Sequence, residues 1–332
     1  MSPETHEPWP ELPWREWRPT IETVHMWTQI VGKVRMALAP PLNHWWHAAL
    51  YVTSRGLTTS PIPYGRRSFQ VDFDFIDHRL LVRDSQGASL AIPFRAHSVA
   101  LFYQELREGL RGLGVDVAIS TRPVEVAHAI PYDVDEEHAT YDPAQARAMW
   151  QGLIQADRVV KAFQSGFTGK ASPVHFFWGS FDLAAARYSG ASPREEFSIG
   201  WWPSCEPPGP SFYAYTLPEP DGIRSARVRP AEAAFDEHLG EFILPYEVVA
   251  SAPDPDAMAH EFFQSTYEAG ADLGNWDRAA LETHPSPRRP PVELPSAVVP
   301  ETPPDSREAA PREGSTGPVH RHGAHQTPRP KA

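Results

Sequence analysis

The stretch 43–65 reads NHWWHAALYVTSRGLTTSPIPYG and holds two histidines, two tryptophans and an arginine in one short run. A second stretch, 172–190, reads SPVHFFWGSFDLAAARYSG and resembles the first. Each has a histidine followed by aromatic residues, comes after a helix that ends in a turn, and continues into residues typical of β-strands. We interpret the two stretches as corresponding parts of a repeated unit.

The helices that follow support this internal repeat. Residues 100–114, ALFYQELREGLRGLG, align without gaps on residues 260–274, HEFFQSTYEAGADLG. Upstream of them, LAIPF at 90–94 and FILPY at 242–246 each read as a strand that ends in proline and an aromatic residue. Self-similarity of this kind determines the interpretation of the whole fold.

Hydrophobic periodicity predicts helices over about 21–38 and 98–113, a third that begins at Asp142, and a last one over about 254–273, with alternating strands between them. Thr20, Asp142 and Asp254 are the expected N-caps. Strands are expected from His44 to Arg55 and over 115–120.

Each half therefore reads helix, four strands, helix. We predict an α+β fold in which internally duplicated helix–four antiparallel strands–helix units form a curved antiparallel sheet, with long helices covering one face. The element order resembles that of the TATA-binding-protein fold, whose single-copy relatives include helix-grip ligand binders.

Four segments are expected along the chain. Residues 1–18 form an N-terminal arm, 19–121 the first α+β repeat, and 122–282 the second repeat, in one globular body with the first. Residues 283–332 are Pro-rich, polar and aperiodic, and we predict a disordered tail because they offer too little apolar surface to offset the entropy lost on ordering.

Composition narrows the class of protein. The formal net charge of −12 argues against general nucleic-acid binding. The single cysteine, Cys205, rules out an intrachain disulfide. Neither a bilayer-spanning apolar run nor a signal peptide is present in the sequence, so we expect a cytoplasmic protein without a membrane partner. The composition indicates neither a cofactor nor an oligomeric state.

No strong catalytic motif is present. The run HEFFQ at 260–264 has glutamine where a zinc-protease helix has its second histidine. GFTGKAS at 166–172 lacks the spacing of a phosphate-binding loop, and no cysteine pair offers a structural zinc site. We predict no metal site.

The histidine–aromatic stretches remain as candidates. His44 and His175 are equivalent in the repeat, so pseudo-symmetry would bring them together, and His25 on the first helix would join them. Such a cluster in an aromatic-lined pocket serves proton transfer or metal binding. The alternative is that these histidines hydrogen-bond backbone groups at the starts of strands.

A second candidate is the loop from Arg55 to Tyr64, whose arginine, hydroxyls and tyrosine suit an anionic ligand. The alternative is a solvated loop that ties two strands together. Asp182, in an otherwise apolar strand, needs a partner if it is buried, and Arg55 or Arg187 would provide one. The aromatic residues Trp201, Trp202, Tyr213 and Tyr215 are interpreted as sheet packing.

Several runs together resemble an uncharacterised bacterial family, domain-of-unknown-function family 5996. They are HMWTQIVGKVRMAL, NHWWHAALYVTSRGLTTSPIPYG, FDFIDHRL, QADRV, SPVHFFWGSFDLA, GEFILPY and FFQSTYEAGADLGNWD, and they span about 9–282. The resemblance implies a bacterial, cytoplasmic protein and no particular activity.

These observations support two hypotheses about function. The first is a small-molecule site, with or without an enzymatic activity, at a His/Arg/aromatic pocket between the two repeats. The second is a non-enzymatic protein–protein interaction module that uses the sheet face or the Pro-rich tail, and it predicts a contiguous exposed aromatic patch.

Overall fold

The chain has the predicted α+β fold, with two antiparallel sheets and several helices. The computed structural model describes residues 9–192, 194–203 and 209–282. The helices are α1 (Trp14–Leu38), α2 (Val99–Gly112), α3 (Pro143–Gln164), α4 (Tyr246–Ala250), α5 (Pro255–Leu273) and α6 (Arg278–Leu281).

The first sheet follows α1 and is built from short strands and tight turns. Its strands are β1 (Tyr51–Thr53), β2 (Gly56–Thr58), β3 (Ile62–Tyr64), β4 (Arg67–Asp74), β5 (Arg79–Asp84) and β6 (Ser89–Pro93). Their order is β1-β2-β4-β5-β6, with β3 paired to part of β4. Phe69, Val71 and Phe73 alternate with polar residues along β4, so that only one face of this sheet is apolar.

The second sheet follows α3. Its strands are β7 (His175–Phe177), β8 (Asp182–Tyr188), β9 (Glu196–Trp202), β10 (Ser211–Leu217), β11 (Ala234–Asp236) and β12 (Glu241–Pro245), in the order β11-β12-β10-β9-β8-β7. Helix α3 packs on β8 and β9, and α5 packs on β9 and β10. We call the surface of this sheet that faces away from α3 and α5 the free face.

The two sheets meet at their edges. Leu50, just before β1, exchanges both backbone hydrogen bonds with Phe176 of β7, at 2.8 Å each. This seam places the end of the 43–65 stretch beside the start of β7. The two stretches that resemble each other in sequence are therefore neighbours in space.

Two of the predicted helix N-caps are confirmed and one is wrong. Asp142 and Asp254 accept hydrogen bonds from the backbone N–H groups of Gln145 and Ala257. Thr20 is not a cap, because α1 begins at Trp14 and contains Pro19. The Thr20 hydroxyl instead accepts a hydrogen bond from the backbone N–H of Asp142, which joins α1 to the start of α3.

Two predicted strands are also wrong. His44 and Trp45 lie in a left-handed turn at φ 56° and 58°, and the strand begins only at Tyr51. Residues 115–120 form no strand, and the Tyr64 hydroxyl hydrogen-bonds the backbone of Asp116. The described residues of each half contain six strands where four were expected. The internal duplication and the likeness to the TATA-binding-protein or helix-grip order stay predictions.

The arm is described from Trp9 onward, and Trp9 packs its indole ring against Phe212 and Tyr246. The first eight residues, Cys205 and the predicted tail from 283 lie outside the described residues. Within the described part of the chain, none of the helices combines the length and the apolar character that crossing a membrane requires.

Candidate functional site

Strand register brings polar side chains from four strands onto the free face. Cross-strand partners point to the same side of a sheet. One row runs from His175 through Ala184 and Gly200 to Tyr213. The next row runs from Ala186 through Ser198 to Tyr215, and a third pairs Tyr188 with Glu196. The free face is therefore rich in hydroxyl and carboxyl groups, whereas the opposite face is apolar except for Arg187 and Thr216.

A cavity of about 250 Å³ lies on this face. Its lining residues are His44, Trp46, Ser172, His175, Phe177, Ser180, Asp182, Ala184, Ala185, Ala186, Tyr188, Glu196, Ser198, Tyr213 and Tyr215. It therefore collects His44, His175 and Asp182 of the predicted site residues. Larger depressions of about 490, 640 and 720 Å³ exist elsewhere on the described surface, and this cavity is distinguished by the buried titratable groups around it.

Asp182 is the buried carboxylate of the cavity. Only 4% of the residue is exposed, and its two oxygens accept hydrogen bonds from the hydroxyls of Ser180 and Tyr213. Burial raises the pKa of Asp182 to about 6, and the two hydroxyls offset this only in part. The partners suggested by the sequence are not used. Arg187 is five residues further along β8 and therefore on the opposite face, where its guanidinium packs on Phe163.

Gly200 makes the contact between Tyr213 and Asp182 possible. Tyr213 is on β10 and Asp182 on β8, so the phenol must cross the intervening strand β9. It does so above Gly200, where a Cβ atom would collide with the Tyr213 ring and with the carbonyl oxygen of Leu183. Trp202 stacks on the other side of the phenol, with 4.3 Å between ring centroids. Tyr213 thus packs in the sheet, as predicted, and also serves the cavity.

His175 is a buried imidazole without a polar partner. The residue is 2% exposed, and neither ring nitrogen has a hydrogen-bond partner among the described residues. The rings of Trp46, Tyr51 and Phe177 surround it at 5.5–5.6 Å between centroids. Burial, and secondarily the charge of Arg35, lower the pKa of His175 to about 4. The ring is therefore neutral at physiological pH, with one nitrogen able to donate and one able to accept.

His44 lies at the opposite end of the cavity from Asp182. Its imidazole stacks on Trp46 and packs against Tyr188, at 5.5 and 5.3 Å between centroids. Its Nδ1 lies 3.7 Å from Oε2 of Glu196. The left-handed backbone at His44 is costly for a residue with a Cβ atom, and strained backbone of this kind concentrates at functional sites.

Glu241 adds a third carboxyl group to the free face. It precedes Phe242, which is paired with Ala214, so the register places Glu241 beside Tyr215. Its Oε2 is buried and has no hydrogen-bond partner in the described part of the chain. Burial and the nearby charges of Asp182 and Asp236 raise the pKa of Glu241 to about 7. Two carboxyls of this face therefore titrate close to neutral pH.

The other three predicted site residues lie outside the cavity lining. His25 on α1 hydrogen-bonds the carbonyl oxygens of Trp178 and Gly179, at 3.0 Å each, in the turn between β7 and β8. Burial lowers the pKa of His25 to about 4. It holds the turn that carries Ser180, which matches the backbone-bonding alternative.

Arg55 and Tyr64 belong to the first sheet. The Arg55 guanidinium bridges Asp74 and Asp77, at 2.9 Å to each. The Tyr64 hydroxyl accepts from the backbone N–H of Asp116 at 3.1 Å. The segment between them forms β2 and β3 and packs as part of the sheet. Leu57, Thr59 and Ile62 are fully buried, so the segment is not the solvated loop of the alternative interpretation.

Glu196, Ser198, Tyr215 and Glu241 were missed as site residues. They lie on strands separated by loops in the chain, and only strand register brings them to one face. The available signal was the alternation of polar with apolar residues in EFSIGWW and SFYAYTL. On a sheet with one solvated face this alternation is ordinary, so it did not point to a site.

Within the described residues, no group of three or more histidine, cysteine, aspartate or glutamate side chains has the geometry to hold a metal ion. The chemistry available in the cavity is therefore hydrogen bonding by carboxylates, hydroxyls and a neutral imidazole, together with contact to aromatic rings.

Comparison with known proteins identifies a family without an assigned activity. Neither the curated proteins nor the solved structures contain a significant match to the chain. A family model matches residues 9–283, which include both sheets and every residue of the cavity. The chain belongs to the family of unknown function DUF5996.

Proposed function

We propose that the chain binds a small polar molecule in the cavity on the free face, between its two halves. The observation that carries the proposal is His175, a buried imidazole that lines the cavity and has no hydrogen-bond partner for either nitrogen among the described residues. A buried polar group without a partner costs about 1–3 kcal/mol. A bound molecule that hydrogen-bonds His175 would remove that cost.

The surroundings of His175 support the same conclusion. Carboxyl and hydroxyl groups converge on one cavity together with aromatic rings, which is the usual composition of a small-molecule site. Pockets that bind small molecules typically measure about 300–1,000 Å³. A cavity of about 250 Å³ is near the lower end of that range, so the molecule is small.

A proton-transfer reaction on the bound molecule is the second candidate function. Asp182 and Glu241 have pKa values of about 6 and about 7, and general acids and bases work best when they titrate near the operating pH. Asp182 lines the cavity and Glu241 lies beside the lining residue Tyr215, so the test of binding comes first.

The test is to fill the cavity without removing a polar group. Ala184 faces His175 across the β7–β8 pair, and Ala184→Phe would occupy the space between His175 and Tyr213. Ala91→Phe is the matched control, because Ala91 is exposed on β6 of the first sheet. Panels of small primary amines, carboxylates and neutral polyols would be screened against the full chain by saturation-transfer NMR.

We expect at least one panel to bind the wild type and Ala91→Phe, and not Ala184→Phe. A second variant, His175→Phe, keeps the ring shape and removes the unpaired nitrogens, so it should keep its fold and lose the same ligands. Absence of binding from every panel, or binding that survives Ala184→Phe, would overturn the proposal.

The interaction-module hypothesis receives less support. It predicted a contiguous exposed aromatic patch, and Trp45, 65% exposed, is the single aromatic residue among the large exposed hydrophobic side chains of the described segments. Leu42 is its exposed apolar neighbour in the same turn. The cytoplasmic location also stays a proposal.

A further inference from the structure

We infer that the molecule bound in this cavity carries a cationic group, an amine or a guanidinium. This inference deepens the proposed function and rests on it. It follows from the charges that line the cavity, from the rings at its edge and from the hydrogen-bonding state of the lining groups.

Charge is the first argument. The lining residues that the structure describes include the carboxylates of Asp182 and Glu196 and neither a lysine nor an arginine. Glu241 adds a third carboxyl on the same face. Arg35 is near His175, but its guanidinium is committed to the carbonyl oxygens of His47 and Thr59. Within the described lining the carboxylates therefore have no lysine or arginine partner, and a cationic ligand would supply the missing charge.

The rings at the edge of the cavity give the second argument. The Lys170 ammonium lies 4.7 Å from the centroid of Tyr188 and 5.9 Å from that of Trp46. Lys170 is exposed and reaches these rings from outside the lining. The faces of Tyr188 and Trp46 thus already attract a cation within this molecule, as electron-rich ring faces do.

Hydrogen-bonding capacity is the third argument. The hydroxyl protons of Ser180 and Tyr213 are directed to Asp182, so these groups offer lone pairs to a ligand. The neutral His175 offers one accepting nitrogen, and Glu196 is acceptor-only when ionised. Among these groups, acceptors therefore outnumber free donors. A protonated amine, which only donates, complements the acceptors of Asp182, His175 and Glu196.

The experiment compares three probes that share a ring and differ in head group: benzylamine, benzyl alcohol and benzoate. Their affinities for the full chain would be measured by calorimetry or NMR titration at pH 8, above the pKa of about 6 of Asp182. We expect benzylamine to bind at least tenfold more tightly than benzyl alcohol, and benzoate not to bind.

Variants test which groups recognise the charge. Glu196→Gln and Asp182→Asn should each weaken the binding of benzylamine by about tenfold, a loss of about 1.4 kcal/mol in binding free energy. The affinity for benzyl alcohol should be unchanged. Lys170→Met should act in the opposite direction and strengthen the binding of benzylamine two- to threefold, because it removes a competing cation from the rings of Tyr188 and Trp46. Loss of the benzylamine effect in Ala184→Phe would assign it to the cavity.

The outcomes separate the two proposals. Equal or tighter binding of benzyl alcohol or benzoate would overturn the cationic assignment and leave small-molecule binding intact. The cationic assignment would also be overturned, and small-molecule binding kept, if benzylamine does not bind but carboxylates or polyols from the screen do, and if Ala184→Phe abolishes their binding. Failure of every probe and every panel would overturn both proposals.

Discussion

Asp74 in the first sheet and Asp182 in the second expose almost no surface to solvent, at 2% and 4%, yet their pKa values shift in opposite directions. Burial alone would raise both. At Asp74 the effect of burial is outweighed by the hydrogen bond from the Arg55 guanidinium and by those from the backbone N–H groups of Asp77 and Ile76. The pKa of Asp74 therefore falls. At Asp182 the donors are two neutral hydroxyls, and the pKa rises to about 6.

The difference separates a structural carboxylate from an available one. The charge of Asp74 is neutralised within the fold, so it stabilises the turn after β4 and leaves little for a ligand. The charge of Asp182 is stabilised by two hydroxyl dipoles and a backbone N–H, and by no cation among the described residues, so the folded protein bears the cost of keeping it ionised. Such a cost is tolerated where the group serves another purpose, which is why buried, perturbed carboxyls mark candidate sites.

The largest test of this contrast is Asp74→Ala. It removes three hydrogen bonds to a buried carboxylate and leaves two backbone N–H groups without their acceptor. We expect a loss of about 3 kcal/mol in the free energy of unfolding at pH 7, measured by urea denaturation. Because the folded pKa of Asp74 is lowered, this deficit should shrink as the pH falls below the ordinary range of an aspartate. An unchanged stability would show that Asp74 and Asp182 do not differ in role.

The second test is Asp182→Asn, which should stabilise the protein by about 2 kcal/mol at pH 8. The folded pKa of Asp182, about 6, is above the ordinary value of 3.8, so between these values the folded state holds a proton that the unfolded chain has released. Ionisation of Asp182 therefore makes the wild type less stable as the pH rises through this window. The Asp182→Asn variant has no group to ionise at this position and does not lose that stability. The advantage of the variant should vanish below about pH 4.

A comparison of the two proteins at each pH isolates Asp182 from the histidines. His25 and His175, whose pKa values are lowered to about 4, make both proteins less stable as the pH falls from 6.5. Their contribution is the same in wild type and variant, so it cancels in the difference. Destabilisation by Asp182→Asn at pH 8 would indicate that the carboxylate is structural, like Asp74.

The smallest expected effect is that of Glu241→Gln. Glu241 is only partly buried, and its pKa is raised to about 7 by burial and by Asp182 and Asp236. We expect a gain of about 1 kcal/mol at pH 8, declining to nothing as the pH falls below the ordinary value of 4.5. Thermal unfolding at pH 8 and pH 4.5 measures it. A gain that persisted at the lower pH would point to packing instead of charge.

The helices were the most predictable part of the fold. An aspartate followed by a proline is a strong signal for the start of a helix. Asp142-Pro143 and Asp254-Pro255 have this pattern, and a helix begins at each of them. Thr20 carried the same kind of signal and was wrong, because the threonine hydroxyl satisfies the backbone of another helix. The sequence shows that a residue is able to cap a helix, but it does not show whether a donor from a distant segment will hydrogen-bond its side chain instead.

The site was only partly predictable, for reasons of geometry. The resemblance between the stretches 43–65 and 172–190 pointed to His44 and His175, and both line the cavity. The expected strand at His44 failed because a left-handed turn, rare for a residue with a Cβ atom, carries it to Glu196 instead. Gly200 shows the limit most clearly. Its role depends on a phenol from the next strand crossing above it, which no local pattern records.

The seam at Leu50 and Phe176 has a consequence for the handling of this protein. An unpaired strand edge is a template for aggregation, and proteins blunt such edges with short strands or proline. β1 and β7 cover each other at the seam, while the outer edges are β6, which ends in Pro93, and the three-residue β11. Expressing one half without the other would uncover β1 or β7. The boundary between the halves is therefore a poor place to truncate the protein, although the predicted repeat would suggest a cut there.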